Sequence, residues 1–139
     1  MTDEVAALTW RALWDDTAAR VGSRAEARWL CEEASGAFGG EFAEVLDDPA
    51  TDRMLAHLDA MLARYAEGEP LQYVLGHWAF RRLDLMVDRR VLIPRPETEL
   101  VAEVALAKAA GLLEAAGRGS ALRVVDLGTG SGAIALAIA

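Results

Sequence analysis

The run Leu122-Arg123-Val124-Val125-Asp126-Leu127-Gly128-Thr129-Gly130-Ser131-Gly132 decides how the second half of this chain is read. Its aliphatic and β-branched residues (Leu122, Val124, Val125, Leu127) have the pattern of a buried strand. Three glycines at alternate positions follow, and then Ala133–Ala139, an apolar segment of good helix formers. Strand, glycine turn and helix in that order form the opening unit of a nucleotide-binding α/β sheet. Glycine lets the backbone turn sharply and lets a ligand approach where a Cβ would clash. The helix start adds unpaired N–H groups for polar ligand atoms.

Spacing alone leaves the ligand open. Gly128-x-Gly130-x-x-Ala133 satisfies the dinucleotide fingerprint literally, which keeps NAD or FAD in view. Two details point elsewhere. Asp126 stands two residues before the first glycine, where its charge would repel a pyrophosphate and favour a cationic ligand. A third glycine, Gly132, replaces the side chain that a dinucleotide turn tolerates. S-adenosylmethionine, with a sulfonium, an amino group and no phosphate, suits such a turn.

Outward from this stretch, composition sets the bounds. The 139 residues are 53% hydrophobic, with a mean hydropathy of +0.16, as expected of a folded, core-forming chain. No apolar run approaches the roughly 20 residues that span a membrane. The acidic start, Met1-Thr2-Asp3-Glu4, lacks the features of a signal peptide. A single cysteine, Cys31, excludes an internal disulfide and fits a reducing compartment, so a cytoplasmic protein is expected. Charge is uneven: residues 1–70 hold 15 acids against 6 arginines, and residues 71–139 hold 7 acids against 8 bases. An acidic half of this kind is a poor general binder of nucleic acid.

Helix signals fill the first 68 residues. Thr2 is placed to cap a helix with Val5, Leu8, Ala12 and Leu13 on one side and Trp10 and Trp14 four apart. Ser23 with Glu26 forms a capping box for a helix through Trp29, Leu30 and Ala34 that stops at Gly36. Glu41–Leu46 reads as a short third helix. Asp48 followed by Pro49 predicts the start of a fourth, in which Met54, Leu55, Leu58, Met61, Leu62 and Tyr65 recur at helical spacing, with Gly68 as its stop. A helical bundle over residues 1–68, able to fold without the rest, is the expectation. Its tryptophans and methionines read as core rather than a ligand cage. His57 reads as surface or helix-packing, without metal-ligand neighbours, and Cys31, flanked by Glu32 and Glu33, as no nucleophile.

The pattern changes at Gly68. Glu69-Pro70 breaks the helix, Leu71–Leu75 allows one more helical turn, and Gly76 ends it. Trp78, Phe80, Leu83, Leu85 and Val87 then alternate around Arg81-Arg82, which predicts a β-hairpin. Five arginines (Arg81, Arg82, Arg89, Arg90, Arg95) crowd this arm, either protecting an edge strand or offering a partner a basic surface. Val91-Leu92-Ile93 reads as a short strand running into Pro94-Arg95-Pro96-Glu97-Thr98-Glu99. Pro96 sits at a helix first turn with Glu97 and Glu99 near its positive end. Leu100, Val101, Val104 and Leu112 give that helix an apolar face before Gly117–Ser120 loops into the strand.

Glu69-Pro70-Leu71-Gln72-Tyr73-Val74-Leu75-Gly76, Val91 to Glu99, and Asp126 to Ile134, taken together and in order, resemble the bacterial HemK/PrmC family of peptide chain release factor glutamine N5-methyltransferases. The resemblance is strong over residues 69–139 and weak in detail over the helical half. It implies a multidomain α+β layout: an N-terminal helical substrate-recognition domain (1–70), a linker with a β-hairpin (71–96), and the start of a truncated Rossmann-like methyltransferase domain (97–139). It implies S-adenosyl-L-methionine bound by Asp126, Gly128, Thr129, Gly130, Ser131 and Gly132. Arg95, Pro96, Glu97 and Thr98 would border the substrate cleft. The implied partners are class I release factors, methylated on the glutamine of their Gly-Gly-Gln loop by a monomeric enzyme with no metal, membrane or direct nucleic-acid contact. Arg82 departs from the small turn residue common in the family, which leaves the hairpin's turn type open.

The larger departure is an absence. The family's Asn-Pro-Pro-Tyr motif, which holds the glutamine amide, does not occur in these residues. Nor is there a second strand whose terminal acid would bind a ribose. The reading is therefore the front part of a longer protein, without catalytic residues and inactive by itself. A non-catalytic module that binds a release factor, and a dinucleotide-dependent oxidoreductase, are the alternatives.

Overall fold

The computed structural model describes residues 8–139, which fall into two compact units, one ending at Leu75 and one running from Gly76 to Ala139. The helix expected from a Thr2 cap with Val5 on its face falls partly outside the described residues. Within them, α1 (Trp10–Val21) starts at Thr9, whose Oγ1 accepts from the Ala12 amide at 3.4 Å, and closes at Gly22. The helix α2 (Arg24–Ser35) has the predicted ends: Ser23 Oγ accepts from the Glu26 amide, and Gly36 takes the left-handed conformation with φ 74°. The Glu26 carboxylate accepts from the Tyr65 hydroxyl, tying α2 to the helix that carries Tyr65.

The short α3 (Gly40–Glu44) buries Phe42, on which Trp10 and Trp14 pack edge-on at 6.3 and 6.0 Å. Such aromatic pairs add to stability beyond their buried area. Asp48 is not the cap of the next helix. α4 (Asp52–Ala66) begins after Thr51, whose Oγ1 accepts from the Met54 amide. Residues 48–50 are committed to the entrance of α1 instead: Trp10 N–H donates to the Asp48 carbonyl, Ala50 N–H to the Leu8 carbonyl, and Thr9 bridges Pro49. A backbone held extended there cannot also start a helix, so α4 starts three residues later.

The short helix α5 (Leu71–Leu75) completes this unit. Leu71 and Val74 lie in one core with Trp10, Leu13, Leu30, Phe42, Leu58, Met61 and Leu62. Arg64, near the end of α4, donates to the Glu69 carboxylate at 2.7 Å and to the carbonyls of Tyr73 and Val74 at 2.7 and 3.1 Å. One guanidinium thus fixes the Gly68 turn and α5 together. A second polar clamp closes the α2–α3 loop: buried Glu32 accepts from Arg28 and from the Gly39 amide, while Arg28 donates to the Gly39 carbonyl. Cys31 is fully buried beside Thr17. Burial first, and Glu32 last, push its thiol from an ordinary value of 9.0 up to about 11, outweighing the Thr17 contact.

In the second unit, β1 (His77–Phe80) and β2 (Leu83–Met86) form the predicted antiparallel hairpin, with Trp78 opposite Leu85 and Phe80 opposite Leu83. Those four share the inward face. On the other face His77 Nδ1 lies 2.8 Å from Asp84 and Met86 is exposed. Arg81 has φ 54° and Arg82 does not, the pattern of a type II′ turn rather than I′. The 21-residue α6 (Pro96–Ala116) has Pro96 at its start, as expected. Phe80 and Leu85 pack with Ala102 of α6 and Ala133 of α7 (Ala133–Ile138).

Two expectations for this unit fail. Val91-Leu92-Ile93 is not a strand, because Asp88 captures the Arg90 amide at 2.9 Å and its carbonyl accepts from Val91, folding the segment into a turn. Leu122–Leu127 forms no strand, since no neighbouring strand pairs with it among the described residues. The helix α6 carries the expected apolar residues, and they are uncovered within this unit: Leu100, Val101, Val104 and Leu112 are all exposed, and Ala102 alone is buried.

Two outcomes are expected. A chain ending at Gly68 loses Leu71, Val74 and every partner of the Arg64 clamp, whereas one ending at Gly76 keeps them. Burial of two aliphatic side chains is worth about 3 kcal/mol or more, so chemical denaturation should find the shorter chain weaker by at least that amount. Cys31 should resist a thiol reagent at pH 8 until the protein unfolds. Because the folded thiol titrates above the unfolded one, stability should hold below pH 9 and fall as pH rises toward about 11; a flat profile there, with a reactive native thiol, contradicts its burial.

Candidate functional site

The glycine turn is built from backbone handedness. Gly128, Gly130 and Gly132 have φ of 73°, 58° and 80°, all in the left-handed region that L side chains rarely adopt. Crowding by the chain is not the reason for glycine. A Cβ at Gly128 would meet nothing within 4 Å, and one at Gly130 would stand 3.9 Å from the Gly128 carbonyl. At Gly132 the nearest atom is Leu136 Cδ1 at 3.8 Å. The turn therefore presents bare backbone to open space.

Within the turn, Thr129 Oγ1 donates to Asp126 Oδ2 at 2.9 Å, and the Gly132 amide donates to the Thr129 carbonyl at 2.9 Å. Leu136 N–H then donates to the Gly132 carbonyl at 2.8 Å and starts α7, a helix of only six residues. Ala133, first in α7, is 6% exposed and packs in the same core as Ala102, which is fully buried. Small residues at both places let the two helices approach closely. The downstream end of the turn is thus rooted in a core. Its upstream end is not: Val125 and Leu127 are 72% and 89% exposed.

Arg95, Pro96, Glu97 and Thr98 form the entrance of α6. Arg95 is its N-cap in extended conformation, and its carbonyl accepts from the Thr98 amide at 3.0 Å. Arg95, Pro96 and Glu97 are exposed and Thr98 is half-buried. The core shared by α6 and α7 puts both candidate segments in one unit. Among the described residues no hydrogen bond or ion pair links Arg95–Thr98 to the glycine turn.

The basic arm is partly consumed by its own unit. Arg81 donates its amide to the Glu99 carboxylate at 3.1 Å and its guanidinium to the Glu99 carbonyl at 3.3 Å, with Glu103 at 3.9 Å. Arg90 is held by Asp88. Sequence reasoning missed this docking of the hairpin turn on α6, and it missed the Asp126–Thr129 bond. The second had a signal, a hydroxyl three residues after an acid inside a tight turn. In the helical unit, His57 is exposed and lines an open groove with Glu33, Gly36, Thr51, Arg53 and Met54. No helix among the described residues is long and apolar enough to cross a membrane.

Comparison with known proteins adds what geometry cannot. Residues 17–76 match the family model described as the PrmC N-terminal domain. A release factor glutamine methyltransferase of Agrobacterium fabrum is 40% identical over 113 residues, 81% of this chain and 38% of that protein. Proteins of the same name from Vibrio cholerae and Escherichia coli are each 46% identical, over 96 and 89 residues, covering 69% and 64% of this chain. The chain spans 29% of the length of each of those two.

The handedness of the turn yields an outcome at Gly130. Replacing it with valine forces a β-branched residue toward a φ it resists. Calorimetry on the full-length protein should show affinity for S-adenosylmethionine at least about tenfold lower, roughly 1.4 kcal/mol. Gly130→Asn, a residue tolerant of this φ, should lose less. Unchanged affinity in the valine variant, with the fold intact by circular dichroism, would remove the turn from the site.

Proposed function

Because the chain belongs to the HemK/PrmC family, we propose that it supplies the helical domain and the cofactor turn of a release factor glutamine methyltransferase. The observation that carries this is the 40% identity over 113 residues to a protein of that name. The reaction we infer moves a methyl group from S-adenosylmethionine to the side-chain amide nitrogen of glutamine, in the Gly-Gly-Gln loop of class I release factors. The amide gives up a proton, and S-adenosylhomocysteine is the other product.

The residues of the turn fit such a cofactor. Three left-handed glycines leave backbone exposed beside open space, and Asp126 adds a carboxylate that favours a cation over a phosphate. When bound, S-adenosylmethionine would supply an electrophilic methyl on its sulfonium. Asp126, Gly128, Thr129, Gly130, Ser131 and Gly132 would hold the cofactor, and Arg95, Pro96, Glu97 and Thr98 would border the cleft that admits glutamine. An amide nitrogen is a poor nucleophile, so the enzyme's main contribution is alignment.

The same reading gives the second unit a role. Paired with further strands in the full-length protein, Leu122–Leu127 would become the first strand of a Rossmann-like sheet, and its exposed apolar residues and those of α6 would be covered by that sheet layer. Residues 1–70 recognise the release factor, 71–96 link, and 97–139 open the methyltransferase domain of a cytoplasmic monomer. The test incubates the full-length protein with labelled S-adenosylmethionine and an unmethylated release factor. Label is expected on the Gly-Gly-Gln glutamine, and none with residues 1–139 alone, which lack the amide-binding motif. A full-length protein that transfers no label, or that binds NAD in place of S-adenosylmethionine, would sink the proposal.

A further inference from the structure

We propose that Thr129 is a positioning residue that acts through Asp126, fixing the carboxylate so that one oxygen is turned to the cationic part of the ligand. The inference rests on the cofactor reading above. Thr129 lies between two left-handed glycines, Gly128 and Gly130, which reverse the chain and bring its hydroxyl back over the end of the preceding segment. There it donates to Asp126 Oδ2 at 2.9 Å.

Thr129 is itself held from the other side, since its carbonyl accepts from the Gly132 amide at 2.9 Å. That amide leads directly into Ala133, which is rooted in the core. A chain of constraint therefore runs from the packed helix to the carboxylate: Ala133, Gly132, Thr129, Asp126. The Asp126 side chain has no other hydrogen bond among the described residues. Without the hydroxyl, a half-buried carboxylate would rotate freely beside the glycine turn.

Threonine is suited to this task. Its β-branching restricts χ1, so the hydroxyl is held with little loss of side-chain freedom. A hydroxyl has one proton to donate, and giving it to Oδ2 leaves Oδ1 with both lone pairs for a ligand. The consequence is selective. Thr129 should matter for ligands that carry a positive charge and hardly at all for the nucleoside they share with neutral ones.

The experiment measures binding to the full-length protein and its variants by calorimetry. Thr129→Val keeps the branching and removes the hydroxyl. It should lower affinity for S-adenosylmethionine about tenfold while changing affinity for 5′-methylthioadenosine, which lacks both cations, less than about twofold. Thr129→Ser should restore most of the loss. In an Asp126→Asn background, Thr129→Val should have little further effect, because the charge it serves is gone. Equal losses for both ligands, or no rescue by serine, would make Thr129 a merely structural part of the turn and overturn the proposal. So would a full effect in the Asp126→Asn background. A wild-type protein that binds neither ligand would instead overturn the cofactor reading, and this inference with it.

Discussion

The guanidinium of Arg64 fixes where the helical unit stops. It satisfies three acceptors that lie beyond its own helix: the Glu69 carboxylate and the carbonyls of Tyr73 and Val74. Glu69 is 6% exposed in its side chain, so the pair is largely withdrawn from water on the acid's side. Arg64 itself is half exposed, so the pair is screened on that side, and its weight comes from the three acceptors it satisfies together. The chain's reversal at Gly68 and the seating of Leu71 and Val74 both follow from this one contact. A lysine could supply the charge but not the fork that reaches three acceptors at once.

The same logic accounts for the acidic surface. Among the described residues of the helical unit, five arginines are ion-paired: Arg11 with Asp47, Arg20 with Asp16 and Asp59, Arg24 with Asp15, Arg28 with Glu32, and Arg64 with Glu69. Basic residues are thus spent on local structure, and the excess of acids faces solvent. Most of these pairs are well exposed and contribute little. Arg28–Glu32 and Arg64–Glu69 differ because each acid is buried and each arginine also donates to backbone carbonyls. Both sit at turns, where backbone groups have no helical partner.

Local signals were legible in the sequence and nonlocal ones were not. Ser23 with Gly36, and Pro96 after Pro94, mark helix ends because capping chemistry acts within a few residues. The alternation from Trp78 to Val87 marked the hairpin because both strands and their turn are contiguous. Asp48-Pro49 misled because a contact with Thr9, some forty positions away, claimed that backbone first. Val91–Ile93 misled because the Asp88 side chain offered a nearer partner than any ladder. The Leu122–Leu127 run has the composition of a strand, but a strand exists only when another pairs with it. Of the candidate site, the glycines were legible from spacing. The bond that fixes Asp126 and the small-residue contact of Ala102 with Ala133 depended on three-dimensional proximity.

Arg81 carries a further consequence. An L residue at φ 54° is uphill by roughly 1 kcal/mol, and glycine would relieve it. Glycine would also remove the guanidinium that reaches the Glu99 carbonyl and so loosen the hairpin from α6. The strained residue therefore works as a latch. A slip of one residue in the strand register would take the side chain off α6 and put a different residue in the left-handed position. The two penalties arrive together, so the hairpin has one register in which turn, tether and inward face all agree. With glycine there, the same ribbon would be a hinge.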